Sequence, residues 1–140
     1  MIFVLLFASF GQNLPDGPGK DALLQICQDC HELDVVTADN MTREAWKKMV
    51  AKMGERGAEA TDEQFAAIIE YLTKYFGRIN VNKASAEEIA AGLKFSPKEA
   101  AAIVDYRGKN GVYKDWKDLK KVEGLDAAKV DAQKNHIAVQ

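Results

Sequence analysis

Apolar positions recur at helical spacing along most of this chain, and no segment shows the period of two that marks a half-buried strand. Trp46, Met49, Val50 and Met53 stand at i, i+3, i+4 and i+7, a single apolar stripe that begins near Thr42. Phe65, Ile68, Ile69, Leu72 and Phe76 form a second stripe. It is opened by Thr61-Asp62-Glu63-Gln64, which fits a capping box, and Gly77 is placed to stop it as a C-cap. A shorter helix is expected from about Lys20 to Cys27. Beyond Gly77 the helices shorten, but each has its own start signal. Ser85-Ala86-Glu87-Glu88 fits one capping box, and Ser96-Pro97-Lys98-Glu99 fits another with Pro97 at the first helical position. Ala100, Ile103 and Val104 supply the apolar face of the helix that follows, and Asn110-Gly111 ends it. Asp115 and Asp126 are placed to cap two further short helices near Leu119 and Val130. Tyr106, Tyr113 and Trp116 read as core or boundary residues. The pattern predicts an all-α fold.

Charge divides this helical string in two. From Gln12 to Gly77, 7 Lys/Arg stand against 12 Asp/Glu; from Arg78 to Gln140, 12 stand against 9. Such a sign change suggests two modules with different partners, and 140 residues are enough for two small domains. The expected boundaries are 12–77 and 78–140. No Gly/Ser-rich or Pro-rich tether lies at Phe76-Gly77-Arg78-Ile79, so the modules are expected in a fixed relation. Met1 to Phe10 is apolar but too short to span a bilayer, and Ser9 and Gly11 fit the small positions of a cleavage site. Residues 1–11 therefore read as a leader, although no Lys or Arg precedes Lys20. Export to the periplasm or beyond follows from that reading, with no membrane span other than the leader.

Both cysteines sit in Cys27-Gln28-Asp29-Cys30-His31. A Cys-x-x-Cys-His run lets two thiols form thioethers with the haem vinyls while the adjacent His31 ligates iron from the same turn. A thioredoxin-type Cys-x-x-Cys belongs in a βαβ pattern that is missing here, and zinc needs ligands beyond the remote His136. One covalent haem c is therefore the expected cofactor. It would also fill the centre of a module of about 65 residues, which is marginal with side chains alone. For the sixth iron position the candidates are Met41, Met49 and Met53, with His136 distant; methionine ligation raises the potential and leaves no open site. Any one of these methionines has core packing as its competing role.

The first module resembles small cytochromes c associated with quinoprotein dehydrogenases, on Glu44-Ala45-Trp46, Met53, Gly57-Ala58 and Glu70-Tyr71-Leu72. The resemblance covers about Ala22 to Gly77. It implies a small class I-like cytochrome c module with Met53 as the axial ligand and Met49 as the alternative.

Ile79-Asn80-Val81-Asn82-Lys83-Ala84-Ser85 opens a stretch similar to ComEA-type tandem helix-hairpin-helix domains. The similarity continues through Ala101 to Arg107, Asn110-Gly111-Val112-Tyr113 and Asp118 to Leu125. Many members of that family bind DNA through turns in which two glycines flank an apolar residue, so that backbone N–H groups and a helix N-terminus reach a phosphate. Here Lys94 and Ser96 replace the glycines around Phe95, and Asp126 replaces the second glycine after Gly124 and Leu125. Lys94, Ser96, Lys98, Gly124 and Lys129 are the candidate contacts for DNA or a partner. The charge excess is small for a nucleic-acid binder. The extrinsic U subunit of photosystem II, which resembles the same family, uses the scaffold for protein docking.

The expectation is a non-enzymatic, exported one-electron carrier whose second module docks it to a redox partner protein. Its alternative is a DNA-binding protein with a redox haem, such as a sensor. The acidic first module favours a basic partner surface. No acid/base pair or nucleophile is evident beside the haem motif.

Overall fold

In the computed structural model, residues 14–140 are described; the leader expected at 1–11 lies outside them. Seven α-helices occur among the described residues: α1 (Lys20–Cys27), α2 (Asp34–Thr37), α3 (Arg43–Glu55), α4 (Asp62–Tyr75), α5 (Ala86–Leu93), α6 (Pro97–Asn110) and α7 (Ala127–Gln133). A 3-10 helix spans Trp116–Lys121. Two short strands, β1 (Ile79–Asn80) and β2 (Ile137–Ala138), pair in parallel with Ile79 opposite Ile137.

The starts follow the chemistry of their first residues. Thr61, Ser85 and Ser96 each form a complete capping box, with the third helical residue returning a bond to the cap N–H. Thr42 caps α3 by accepting from the Ala45 N–H. Asp115 and Asp126 cap the 3-10 helix and α7.

Apolar faces gather into two clusters. In the N-terminal half Leu23, Trp46, Val50, Ile68, Tyr71 and Leu72 are buried where α1 and α3 pack on α4. Gly19 permits the approach of α1: it lies at φ 93°, and a Cβ there would stand 2.3 Å from the Ala67 carbonyl oxygen. In the C-terminal half Val81, Ile89, Leu93, Ile103, Leu119 and Val130 are buried between the α5–α6 hairpin and the 3-10 helix–α7 hairpin. Tyr113 joins them and donates its hydroxyl to the Ile103 carbonyl at 2.8 Å, while Tyr106 and Trp116 pack on the margin.

Three details differ from the sequence expectation. The strand pair had no signal in the pattern, because two-residue strands cannot show alternation. The single turn α2 was also missed. Gly77 follows the C-cap Phe76 rather than occupying it, and its backbone is not left-handed. Glycine is required there for space, since a Cβ would lie 2.0 Å from the Thr73 carbonyl oxygen.

The halves meet at this glycine. The Met41 N–H donates to the Phe76 carbonyl at 3.0 Å, and the Arg78 N–H donates to Met41 at 2.8 Å. From the C-terminal side His136 Nδ1 donates to the Gly77 carbonyl at 3.0 Å, and Arg78 Nε donates to the Asn135 carbonyl at 3.1 Å. Asn40 Nδ2 reaches the same Asn135 carbonyl at 3.4 Å.

Candidate functional site

A cavity of about 470 Å³ opens between α1, α2, α3 and α4. Cys27, the last residue of α1, and Cys30 and His31 in the turn after it lie on one wall. The stripe of α3 brings Trp46, Met49, Val50 and Met53 to the same cavity, and Phe65, Ile68 and Leu72 of α4 close it. Trp46 is 1% exposed and donates its indole N–H to the Phe76 carbonyl at 2.9 Å, which fixes the floor to the seam between the halves. Val35, 68% exposed, and Met49, 38% exposed, also line it, at its open side.

The potential donor groups, two thiols, one imidazole and three thioethers, line the same cavity. His31 Nδ1 lies 3.2 Å from the Glu32 carbonyl oxygen. A carbonyl only accepts, so this contact is a hydrogen bond in the tautomer with the proton on Nδ1, which places the lone pair on Nε2. Burial, then the neighbouring Cys30, pushes the Cys27 thiol above its usual range. A redox-active Cys-x-x-Cys thiol has the opposite shift and stands at a helix N-terminus, whereas Cys27 ends its helix. Among the described residues no three His, Cys, Asp or Glu side chains cluster as a metal site made by the protein alone. The cavity volume is ordinary for a cofactor site, and its walls are almost wholly apolar.

All three candidate methionines, Met41, Met49 and Met53, line the cavity. His136 does not, being held at the Gly77 carbonyl. The sequence reading passed over Arg56, which also lines the cavity directly before Gly57-Ala58.

The second candidate surface is where the two hairpin turns meet. Lys94 caps α5 at φ 56°, the only non-glycine residue with positive φ among those described, in the place where a glycine was expected. Phe95 is buried beneath it. Ser96 and Glu99 exchange bonds at the α6 N-terminus: Ser96 N–H donates to Glu99 Oε2 at 2.7 Å, and Glu99 N–H donates to Ser96 Oγ at 3.2 Å. Lys129 Nζ crosses from α7 to the same Glu99 oxygen at 2.6 Å and lies 5.4 Å from the Phe95 ring centroid. The Lys129 ammonium and the Ser96 N–H hold the Glu99 carboxyl below the usual carboxylate range. In the second turn Gly124 has φ 87°, and Asp126 accepts from the Ala128 N–H at 2.8 Å. Lys120 and Lys121 are paired with Asp131 and Asp118. Of the five candidate contacts, Lys94 and Lys98 are exposed cations outside the described ion pairs, and Lys129 is committed to Glu99.

Comparison with known proteins finds similarity over part of the chain. Over 60 residues the chain is 32% identical to the endonuclease/exonuclease/phosphatase family domain-containing protein 1 of Rattus norvegicus, and equally to that of Mus musculus. The matched stretch is 43% of this chain and 10% of each relative, so the chain spans about a tenth of their length. No solved structure matches. The helix-hairpin-helix motif matches residues 74–138, the stretch that holds both hairpins and the paired strands. Residues 74–138 are a helix-hairpin-helix domain.

Proposed function

We propose that this chain carries one covalent haem c on Cys27, Cys30 and His31 and passes single electrons, with its helix-hairpin-helix domain docking it to a redox partner protein. The observation that carries the reading is the convergence of all three residues of the Cys-x-x-Cys-His motif on one apolar cavity of about 470 Å³ that also receives three methionines. Bound there, the haem supplies a one-electron couple. The chain's own residues do the rest. Cys27 and Cys30 would hold the ring through thioethers, His31 would ligate its iron, and Trp46, Ile68 and Leu72 would exclude water from it. Met53 would supply the second protein ligand to the iron, with Met49 as the alternative. A thioether ligand would keep the potential high and would leave no open site for a substrate.

The test is expression of the full chain with a c-type maturation system. The expected result is a mass gain of one haem that survives denaturation; a chain recovered without covalent haem overturns the reading. In the loaded protein, Met53→Ala should abolish the iron–thioether absorption band and lower the potential, while Met49→Ala leaves both in place. The reverse pattern assigns the ligand to Met49.

Lys94 and Lys98 at the hairpin face favour a second reading, DNA binding. Glu99 and Asp126 oppose it, because each places a carboxylate at a helix N-terminus where a phosphate would lie. Glu99→Gln with Asp126→Asn removes both charges and keeps both caps. Each charge is worth about 1 kcal/mol at contact distance in water, so the double variant should bind short duplex DNA at low salt about thirtyfold more tightly than the wild type. Tight, steeply salt-dependent binding by the wild type would establish the DNA reading instead. No gain in the variant would show that these carboxylates are not what closes the face.

A further inference from the structure

We propose that Arg56 is the residue that receives the carboxylates of the haem and thereby sets its potential; this rests on the haem reading above. Among the side chains lining the cavity, Arg56 alone carries a fixed positive charge; apart from His31 and the two cysteines, its companions there are non-ionisable. Arg56 is exposed, and among the described residues no ion pair or side-chain hydrogen bond engages its guanidinium. A cation left free on the rim of an apolar cavity, in a half of the chain with 12 acidic residues against 7 basic ones from Gln12 to Gly77, needs an account.

The backbone beneath it is fixed. The Arg56 N–H donates to the Lys52 and Met53 carbonyls at 3.2 and 3.1 Å, and the Ala58 N–H returns to Met53 at 3.0 Å. Gly57, at φ 104°, turns the chain immediately afterwards. The guanidinium therefore swings from an anchored point at the C-terminal end of α3, where the helix dipole also favours a cation. Haem c brings two thioethers on one edge and two carboxylates on another. Cys27 ends α1 and Arg56 follows α3, so the tether and the cation come from different elements. Carboxylates beside an apolar cavity are costly without a partner, and the arginine fork suits them in bidentate fashion.

The consequence is electrochemical. With Arg56 in place the carboxylate charge near the iron is compensated. Without it, that negative charge favours the oxidised iron, so the potential falls. Haem-loaded full-length Arg56→Gln is expected to shift the equilibrium with a redox dye about tenfold toward oxidised haem, equal to 59 mV for one electron. Arg56→Lys should restore most of the shift, since it keeps the charge and loses only the fork. A role confined to holding the α3 turn would not order the variants by charge. A Gln variant that keeps its haem and matches the wild type within twofold overturns the proposal. Should Arg56→Gln fail to load, resonance Raman spectra of wild type and Arg56→Lys decide. The propionate bending band moves if Arg56 contacts the carboxylates, and an unmoved band overturns the assignment. Absence of covalent haem from the wild type would instead be a failure of the haem reading.

Discussion

Replacing Cys27 and Cys30 with Ala is expected to abolish covalent haem and to unfold the N-terminal half while the helix-hairpin-helix domain stays folded. The expectation comes from the size of the cavity. Without haem, the apolar walls of this 470 Å³ space stand open to water, and the burial they forgo is a large share of the roughly 5–15 kcal/mol that holds a small domain together. Walls that belong to one small cluster cannot absorb that, so they collapse or come apart. The C-terminal cluster of Val81, Ile89, Leu93, Ile103, Leu119 and Val130 shares none of its buried residues with the cavity wall and keeps its contacts.

The chain carries its own reporters, because Trp46 lies in the cavity wall and Trp116 packs against the C-terminal cluster. In a Trp116→Phe background, Trp46 emission should be quenched by the haem in the loaded protein. It should become bright and water-exposed once both cysteines are gone. In a background with Trp46→Phe, Trp116 emission should change little between the two forms. A double-cysteine variant that keeps Trp46 buried and its near-ultraviolet dichroism intact would show that the N-terminal half closes without its cofactor. The stabilising role given to the haem would then be wrong.

What was legible in the sequence was mostly local. Thr61, Ser85 and Ser96 announced their helices because a capping box needs only four consecutive residues and water-exposed chemistry. The stripe of α3 was equally plain, and it brings Trp46, Val50 and the two methionines to one cavity. The same periodicity could not rank Met49 against Met53, since residues one turn apart share a helix face. Long-range partnerships left no trace. Glu99 and Lys129 are 30 residues apart, and nothing in either neighbourhood marks them as a pair. The pairing of Ile79 with Ile137 has the same character, two short segments matched across the domain. Arg56 was overlooked for another reason. A lone arginine at the end of a helix is ordinary surface chemistry until the fold shows that it borders a cavity. Gly77 shows the remaining kind of gap: its position was clear, but its cause, the Thr73 carbonyl in the way of a Cβ, exists only in three dimensions.

Asn82→Ala is expected to destabilise the helix-hairpin-helix domain by about 3 kcal/mol, because three hydrogen bonds of roughly 1 kcal/mol each depend on one side chain. Asn82 Nδ2 donates to the Tyr113 carbonyl at 2.9 Å and to the Val139 carbonyl at 2.8 Å, and Oδ1 accepts from the Tyr113 N–H at 2.8 Å. The amide thus ties the turn after β1 to the loop before the 3-10 helix and to the residue that follows β2. Only an amide carries both donors and the acceptor. Asn82→Asp keeps the acceptor for Tyr113 but turns a carboxylate toward two carbonyls, so it should cost at least as much as Ala. For a domain of this size 3 kcal/mol corresponds to a fall in Tm of about 12–24 °C, read from Trp116 in chains with Trp46→Phe. The effect should also reach the seam. Asn135 and His136, which hold Gly77, Arg78 and Asn40, immediately precede β2 and lose their support when that strand detaches. The haem spectrum is expected to survive, since its ligands belong to the other half, but amide exchange at Met41 and Arg78 should quicken. A loss below 1 kcal/mol would mean that water replaces the Asn82 amide and that the domain closes through its apolar cluster alone. Exchange at Met41 and Arg78 unchanged in a destabilised variant would mean instead that the seam is held by the N-terminal half itself, through the Phe76 carbonyl that both Met41 and Trp46 share.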